Sequence, residues 1–241
     1  MLLHNSSRFI ISFGTQQEAF APQEFYDIKN SVELLQQAQF IKAQQQLHLK
    51  HLVVLKQTHS DVGYYISSNA MLEPYSLEGD FLITNVPRCG IGVNTADCLP
   101  IIFYDTIHHA LAIAHAGWLG TIQEIAKKTF RAMQAQHTTQ PEDLEIFFGP
   151  SAKPCCYEVQ KDFVEKLTHS SQHATHVISA HEKKLYCDVP LLNQLQLQEL
   201  GIKKEHINYT YNLCTICSPQ LCSYRRDGAF AKRQMTIAVL I

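Results

Sequence analysis

The stretch from Gly79 to Gly117, GDFLITNVPRCGIGVNTADCLPIIFYDTIHHALAIAHAG, constrains the fold more than any other part of the chain. It is dense in apolar residues and sparse in charge. Leu99–Tyr104 and Ala110–Ala114 read as strands, with the turn-like DTIHH, Asp105–His109, between them. Two polar residues stand at the ends of these runs, Cys98 in TADC and His115 in AHAG. A hairpin whose turn centres near Thr106–Ile107 sets Cys98 opposite His115. Directly opposed residues hold their Cβ atoms roughly 4.5–5.5 Å apart, close enough for one cation to bridge a thiolate and an imidazole.

The rest of the chain fits a globular protein. Of 241 residues, 46% are hydrophobic and 17% charged, which supplies a sizeable core and excludes a disordered chain. A net charge of −2 gives no electrostatic footprint for nucleic acid. No apolar run is long enough for a membrane span, roughly 18 residues or more. The N-terminal MLLHNSSRFIISFG lacks a basic region followed by a long apolar one, so a cytoplasmic protein is expected. In a reducing compartment the eight cysteines are expected as free thiols or metal ligands, most of them core filler.

Strands are expected at Phe9–Phe13, Leu52–Leu55, Gly79–Asn85, Gly90–Val93, Leu144–Phe148, Val177–Ser179, Lys184–Cys187 and Met235–Ile241. Helices are expected from Asn30 or Ser31 to about Gln46, from Trp118 to Gln136, from Gln160 to Leu167 and from Val189 to Leu200. Gly201 then supplies a C-terminal stop. Ile207–Tyr211 reads as extended. With no internal repeat and no obvious linker, residues 1–241 read as one mixed α/β domain, its sheets covered by helices.

Three constellations can carry chemistry. His59, in KQTHSD directly after an apolar strand, joins Cys98 and His115 as a third candidate ligand. Three N and S ligands with a fourth position open is the pattern of a catalytic zinc site. A buried cysteine with two hydrogen-bonded histidines is the alternative, and spacing alone does not choose. Cys214-x-x-Cys217, with Cys222, suggests a zinc knuckle or redox pair, but a second CxxC is missing. Arg225 and Arg226 in SYRRDG, with Lys232 and Arg233 after them, can hold a phosphate or carboxylate, or can be solvated surface. His169, His173 and His176 have helical spacing, yet their polar surroundings favour a solvated loop. There is no P-loop, GxGxxG or GxSxG.

With these residues located, the chain resembles the YfiH family, also called the laccase-domain or polyphenol oxidase family and related to peptidoglycan-editing factors. The resemblance is carried by KQTHSD, GDFLITN, TADCLPIIFYD, AIAHAGWLGT, FFGPSAKPCCYEV and CSYRRDG…KRQ, running in order from about residue 52 to the C-terminus. It implies a four-layer α/β/β/α (α+β) domain with mixed sheets, and zinc on His59, Cys98 and His115. It also implies phosphorolysis of adenosine, inosine and methylthioadenosine, with adenosine deamination alongside. Cys98 and Asp97 are the candidate catalytic residues, and Lys56, Arg225, Arg226 and Arg233 the candidates for holding phosphate. The expected partners are a nucleoside and phosphate, with the chain a monomer or homodimer.

Three other functions fit the residue types. A copper-dependent polyphenol oxidase is one, although 13 histidines without any His-x-His pair argue against it. A hydrolase editing a cell-wall precursor, with Cys98 as nucleophile and His115 as base, is another. A non-enzymatic binding protein is the last. The family's N-terminal Arg, Gly-Gly and Ser are replaced here by FGTQQEAFAP, which offers Gln16 and no glycine pair, and its Gly-Arg after the C-terminal DG is Lys232-Arg233.

Overall fold

A computed structural model describes residues 1–21, 45–67 and 75–241. The strands, in chain order, are β1 (Leu2–Asn5), β2 (Phe9–Phe13), β3 (His51–Val54), β4 (Gly63–Ile66), β5 (Phe81–Thr84), β6 (Cys89–Thr95), β7 (Leu99–Asp105) and β8 (Ala110–Ala116). Then follow β9 (Leu144–Phe148), β10 (Glu158–Val159), β11 (Ile178–His181), β12 (Lys184–Cys187), β13 (Ile207–Asn208) and β14 (Gln234–Leu240). The helices are α1 (Trp118–Ile122), α2 (Ile125–His137), α3 (Lys161–Ser170), α4 (Ala174–Val177), α5 (Val189–Gln198) and α6 (Tyr224–Asp227).

Two mixed sheets form the body. One has the order β1-β2-β14-β6-β3, the other β13-β9-β7-β8-β5-β4, and a small third sheet runs β10-β12-β11. Because β7, β8 and β14 are buried along their whole length, they are apolar on both faces instead of alternating. Between the two large sheets lies a shared core in which Phe9, Phe13, Ile91 and Leu240 meet Leu82, Ile102, Leu111 and Phe147. On the far face of the six-stranded sheet, Ile101, Phe103 and Ala112 pack against Ile125, Phe130 and Met133 of α2 and Leu197 of α5. The far face of the five-stranded sheet packs Ile10, Leu52 and Ile237 against Phe20, Leu47 and Leu49. The fold is therefore the expected α+β stack of helices and mixed sheets. The helix expected from Asn30 or Ser31 to Gln46 lies almost wholly outside the described residues.

Two local expectations are corrected. The 118–136 segment is two helices, because Glu124 adopts a left-handed conformation (φ 62°) that breaks the first before α2 begins. The HSSQHATH segment is partly ordered: Ala174 and Val177 are buried, and they anchor α4. Its histidines form no ligand cluster, and His173 instead meets Glu199 at 2.5 Å.

The β7–β8 hairpin forms with a different register. Asp105 pairs with Ala110 across a four-residue turn, so His115 faces Pro100, and Leu99 faces Ala116. The turn centres one residue later than expected because Asp105 caps it, accepting the N–H groups of Ile107 and His108 at 2.9 and 2.8 Å. Cys98 thus stands beyond β7, across from Gly117. The slip is an even number of residues, so Cys98 and His115 remain on one face as diagonal neighbours.

Candidate metal centre

Three chain segments converge at the open end of this hairpin: the loop after β3, the TADC turn before β7, and the end of β8. They bring the ligand atoms of His59, Cys98 and His115 within 4.8 Å of one another. Cys98 Sγ lies 3.9 Å from His59 Nε2, and the two imidazole rings are 4.9 Å apart at 69°. Gly117 makes the space. A Cβ there would lie 3.0 Å from Cys98 Sγ and 3.0 Å from His59 Cδ2, inside ordinary van der Waals contact.

Asp80 organises the cluster. Its side chain is fully buried at the head of β5, a position that demands partners. One carboxylate oxygen accepts from His115 Nδ1 (2.8 Å) and the His59 N–H (3.1 Å). The other accepts from the Ser60 N–H (2.6 Å), the Ser60 hydroxyl (2.7 Å) and the Thr58 N–H (3.2 Å). These bonds wrap residues 58–60 around the carboxylate and hold His59 in the left-handed region (φ 58°). Burial raises the Asp80 carboxyl, but the His115 contact and the Ser60 donors outweigh it and keep it ionised below its usual range. With its Nδ1–H committed to Asp80, His115 has Nε2 left to meet Cys98 or to offer its lone pair to a metal ion.

The local electrostatics follow from this wiring. Burial alone would push the Cys98 thiol up, yet the charge of His115 and hydrogen bonds to both histidines bring it down to about 6. Burial also disfavours a charged His115, and the Cys98 and Asp80 charges outweigh it, holding the ring up at about 9. With no metal bound, both shifts favour a thiolate beside an imidazolium. A metal ion suits the same donors: one thiolate, two imidazoles, a carboxylate fixing one tautomer, and a glycine where any side chain would intrude. A four-coordinate ion held by these three donors would have one position left for water or substrate.

That cavity, bounded by described residues, encloses about 630 Å³. Phe20, Tyr75, Trp118, Tyr157 and Tyr224 supply aromatic walls, and Lys56, Arg225 and Arg233 supply cationic ones. The Arg225 guanidinium lies 5.1 Å from the Tyr157 ring, and that of Arg233 lies 5.6 Å from the Tyr224 ring. Burial raises the Tyr157 phenol to about 12, helped by the Cys98 charge, so it stays a neutral donor.

The other candidates divide. Lys56 reaches the cavity, with its ammonium on Glu78 at 2.7 Å. Asp97 also lines it, but one carboxylate oxygen accepts from the Thr215 hydroxyl (2.6 Å) and the other from the Arg225 N–H (2.7 Å). Those bonds make it a brace for the wall carrying Arg225. Arg226 is a correction: it does not line the cavity, because its guanidinium binds the Thr215 and Leu221 carbonyls and the Asp227 carboxylate. Gln16 is exposed and lines a separate depression with Asp227, Phe230 and Lys232. Sequence reasoning missed Asp80 and the aromatic walls. Asp80 carried a signal, a carboxylate entering an all-apolar strand, whereas the aromatic residues come from segments too far apart in the chain to show any spacing.

Comparison with known proteins was consistent across sequence and structure. A family model described as multi-copper polyphenol oxidoreductase laccase matches residues 25–241. A purine nucleoside phosphorylase of Clostridium acetobutylicum is 35% identical over 199 residues, covering 80% of this chain and 78% of that protein. A purine nucleoside phosphorylase of Aquifex aeolicus is 39% identical over 165 residues, covering 68% and 72%. The crystal structure of the hypothetical protein YfiH of Bacillus licheniformis superposes with a TM-score of 0.80 at 25% identity, over 97% of this chain and 93% of that one.

Proposed function

The chain belongs to the family described as multi-copper polyphenol oxidoreductase laccase, and from that premise we propose that it is a zinc-dependent purine nucleoside phosphorylase that also deaminates adenosine. The observation that carries this reading is the three-donor cluster opening onto a cavity walled by aromatic rings and cations. The names of the relatives support the phosphorylase class. The donor count speaks against copper oxidase chemistry despite the family's description. Every histidine and cysteine lies among the described residues, and only one cluster there combines both types. A multicopper enzyme needs further histidine-rich sites for its other metals.

On this reading His59, Cys98 and His115 hold zinc. The bound ion supplies Lewis-acid charge beside the substrate and brings the acidity of water near neutrality, about pH 7. Trp118, Tyr157 and Tyr224 offer flat faces of the kind that stack on a purine. Arg225, Arg233 and Lys56 offer the positive charge that holds phosphate for attack on the sugar carbon. Asp80 fixes the His115 tautomer, and Asp97 fixes the backbone that presents Arg225. Zinc-loaded protein incubated with adenosine and phosphate is expected to yield adenine and ribose 1-phosphate, and also inosine and ammonia where water attacks the purine C6. Absence of adenine and inosine at every zinc loading overturns the reading.

One observation favours a second reading. Cys98, His115 and Asp80 also form a thiolate–imidazolium–carboxylate chain, the arrangement of a cysteine hydrolase, which is compatible with the cell-wall precursor reading without identifying its substrate. A nucleophilic Cys98 reacts with iodoacetamide in the protein as purified. A zinc ligand reacts only after zinc is stripped.

A further inference from the structure

Four cysteines play no part in the cavity. Cys155 and Cys156 follow Pro154 in the loop after β9, and Cys214 and Cys217 lie in the segment between β13 and α6. The two segments are some sixty residues apart in sequence and are joined as a short parallel bridge. The Ser151 N–H donates to the Leu213 carbonyl, and the Thr215 N–H to the Ser151 carbonyl, both at 3.0 Å. Asn212 Nδ2 adds bonds to the Gly149 carbonyl (2.6 Å) and to Ser151 Oγ (2.9 Å). This framework gathers all four sulfurs within 4.8 Å of one another.

We propose that Cys155, Cys156, Cys214 and Cys217 form a second metal centre, a closed tetrathiolate site of the type that holds zinc or a single iron, joining these two loops. Mutual closeness of four sulfurs is what a tetrahedral ion requires. A disulfide needs only two and would leave two thiols idle. Cys155 and Cys217 are exposed, Cys156 is partly buried and Cys214 is buried, so the ion would sit under the surface with an entry path. On binding, each thiol gives up its proton to solvent and the metal takes four S–metal bonds with no change in oxidation state.

The surroundings are built for that load. Backbone N–H groups of Cys217, Lys153 and Ile216 donate to the Cys214 sulfur. Arg226 braces the CxxC turn from beneath, donating to the carbonyls of Thr215 (2.8 Å), Ile216 (3.3 Å) and Ser218 (3.3 Å). The clamp reaches the cavity at two points: Tyr157 directly follows Cys156, and Thr215 directly follows Cys214 and holds Asp97. The role assigned is positioning of those walls. It does not depend on which reaction the cavity performs.

Metal content of the full chain, purified without oxygen from medium containing zinc and iron, tests the proposal. Wild type is expected to carry about two ions per chain, one for each site. Cys98→Ala and Cys217→Ser should each carry about one, and the double variant about none. Should Cys217→Ser misfold, cobalt(II) added to Cys98→Ala after its metal has been stripped under reducing conditions decides the matter by the intense thiolate-to-metal charge-transfer absorption of a tetrahedral site. Iodoacetamide mapping of wild type should find Cys155, Cys156, Cys214 and Cys217 protected until a chelator is added. Any of three results overturns the proposal: equal metal in wild type and folded Cys217→Ser, no cobalt–thiolate band in Cys98→Ala, or a disulfide among the four in protein kept reduced.

Discussion

Asp80 carries more of the site than any of the three candidate donors does, because one carboxylate both orients His115 and folds residues 58–60 around itself. Asp80→Asn keeps the size but turns one acceptor oxygen into an NH2 facing existing N–H donors. Affinity for the proposed zinc is expected to fall roughly 10- to 100-fold, as for other partners of metal-bound histidines. Stability should fall by about 1–3 kcal/mol through the unpaired donors. A chelator-competition titration and a thermal melt measure the two effects. The Cys98–His115 pair sets a pH window in the zinc-free protein. Cys98 is depressed to about 6 and His115 raised to about 9, so the ion pair is intact between those values. Its contribution to stability is lost as pH falls through about 6, where the thiolate protonates, and again as pH rises through about 9, where the imidazolium deprotonates. Alkylation of Cys98 in stripped protein should therefore set in near pH 6, well below the ordinary thiol value of 9.0. Onset near the ordinary value would show that the pair does not form.

Among the elements, the hairpin of β7 and β8 shows what pattern can and cannot deliver. Its existence and its apolar runs were plain in the residues. Its register was not, because the turn is capped by the Asp105 side chain, and capping is decided by three-dimensional geometry. The single helix expected after Trp118 failed for a related reason: hydrophobic spacing continued across Glu124, while the backbone did not. That break places Glu124 and Lys127 on one turn, and Lys127 bridges Glu124 at 2.6 Å and the Glu199 carboxylate just beyond α5. The hydrogen bond from Lys127, above all, holds the Glu199 carboxyl down at about 2. Lys127→Ala should destabilise the protein at neutral pH. The difference from wild type should shrink as pH falls from about 4.5 through about 2, where Glu199 protonates in both proteins. Denaturant melts across that range check it, and a difference independent of pH would assign the loss to packing.

For the molecule as a whole, the stack of two mixed sheets with helices outside follows from apolar runs that could only be buried on both faces. The three donors were legible as polar residues at strand ends, and the fold brings them together. The cationic group was legible only in part. Arg225 and Arg226 are neighbours in sequence, but in α6 one faces the cavity and the other braces the CxxC turn. The aromatic walls and the four-cysteine cluster were invisible because each is assembled from segments whose proximity only the sheets create.

The central claim is that the His59–Cys98–His115 cluster serves a nucleoside phosphorylase. Its most direct test is phosphate-dependent release of adenine from adenosine by stripped protein, measured as zinc is titrated back, in wild type beside Cys98→Ala. The account predicts adenine and ribose 1-phosphate in equal amounts, appearing with zinc in wild type and absent from the variant. Adenine release that Cys98→Ala retains, or none from wild type at any zinc loading, would contradict it.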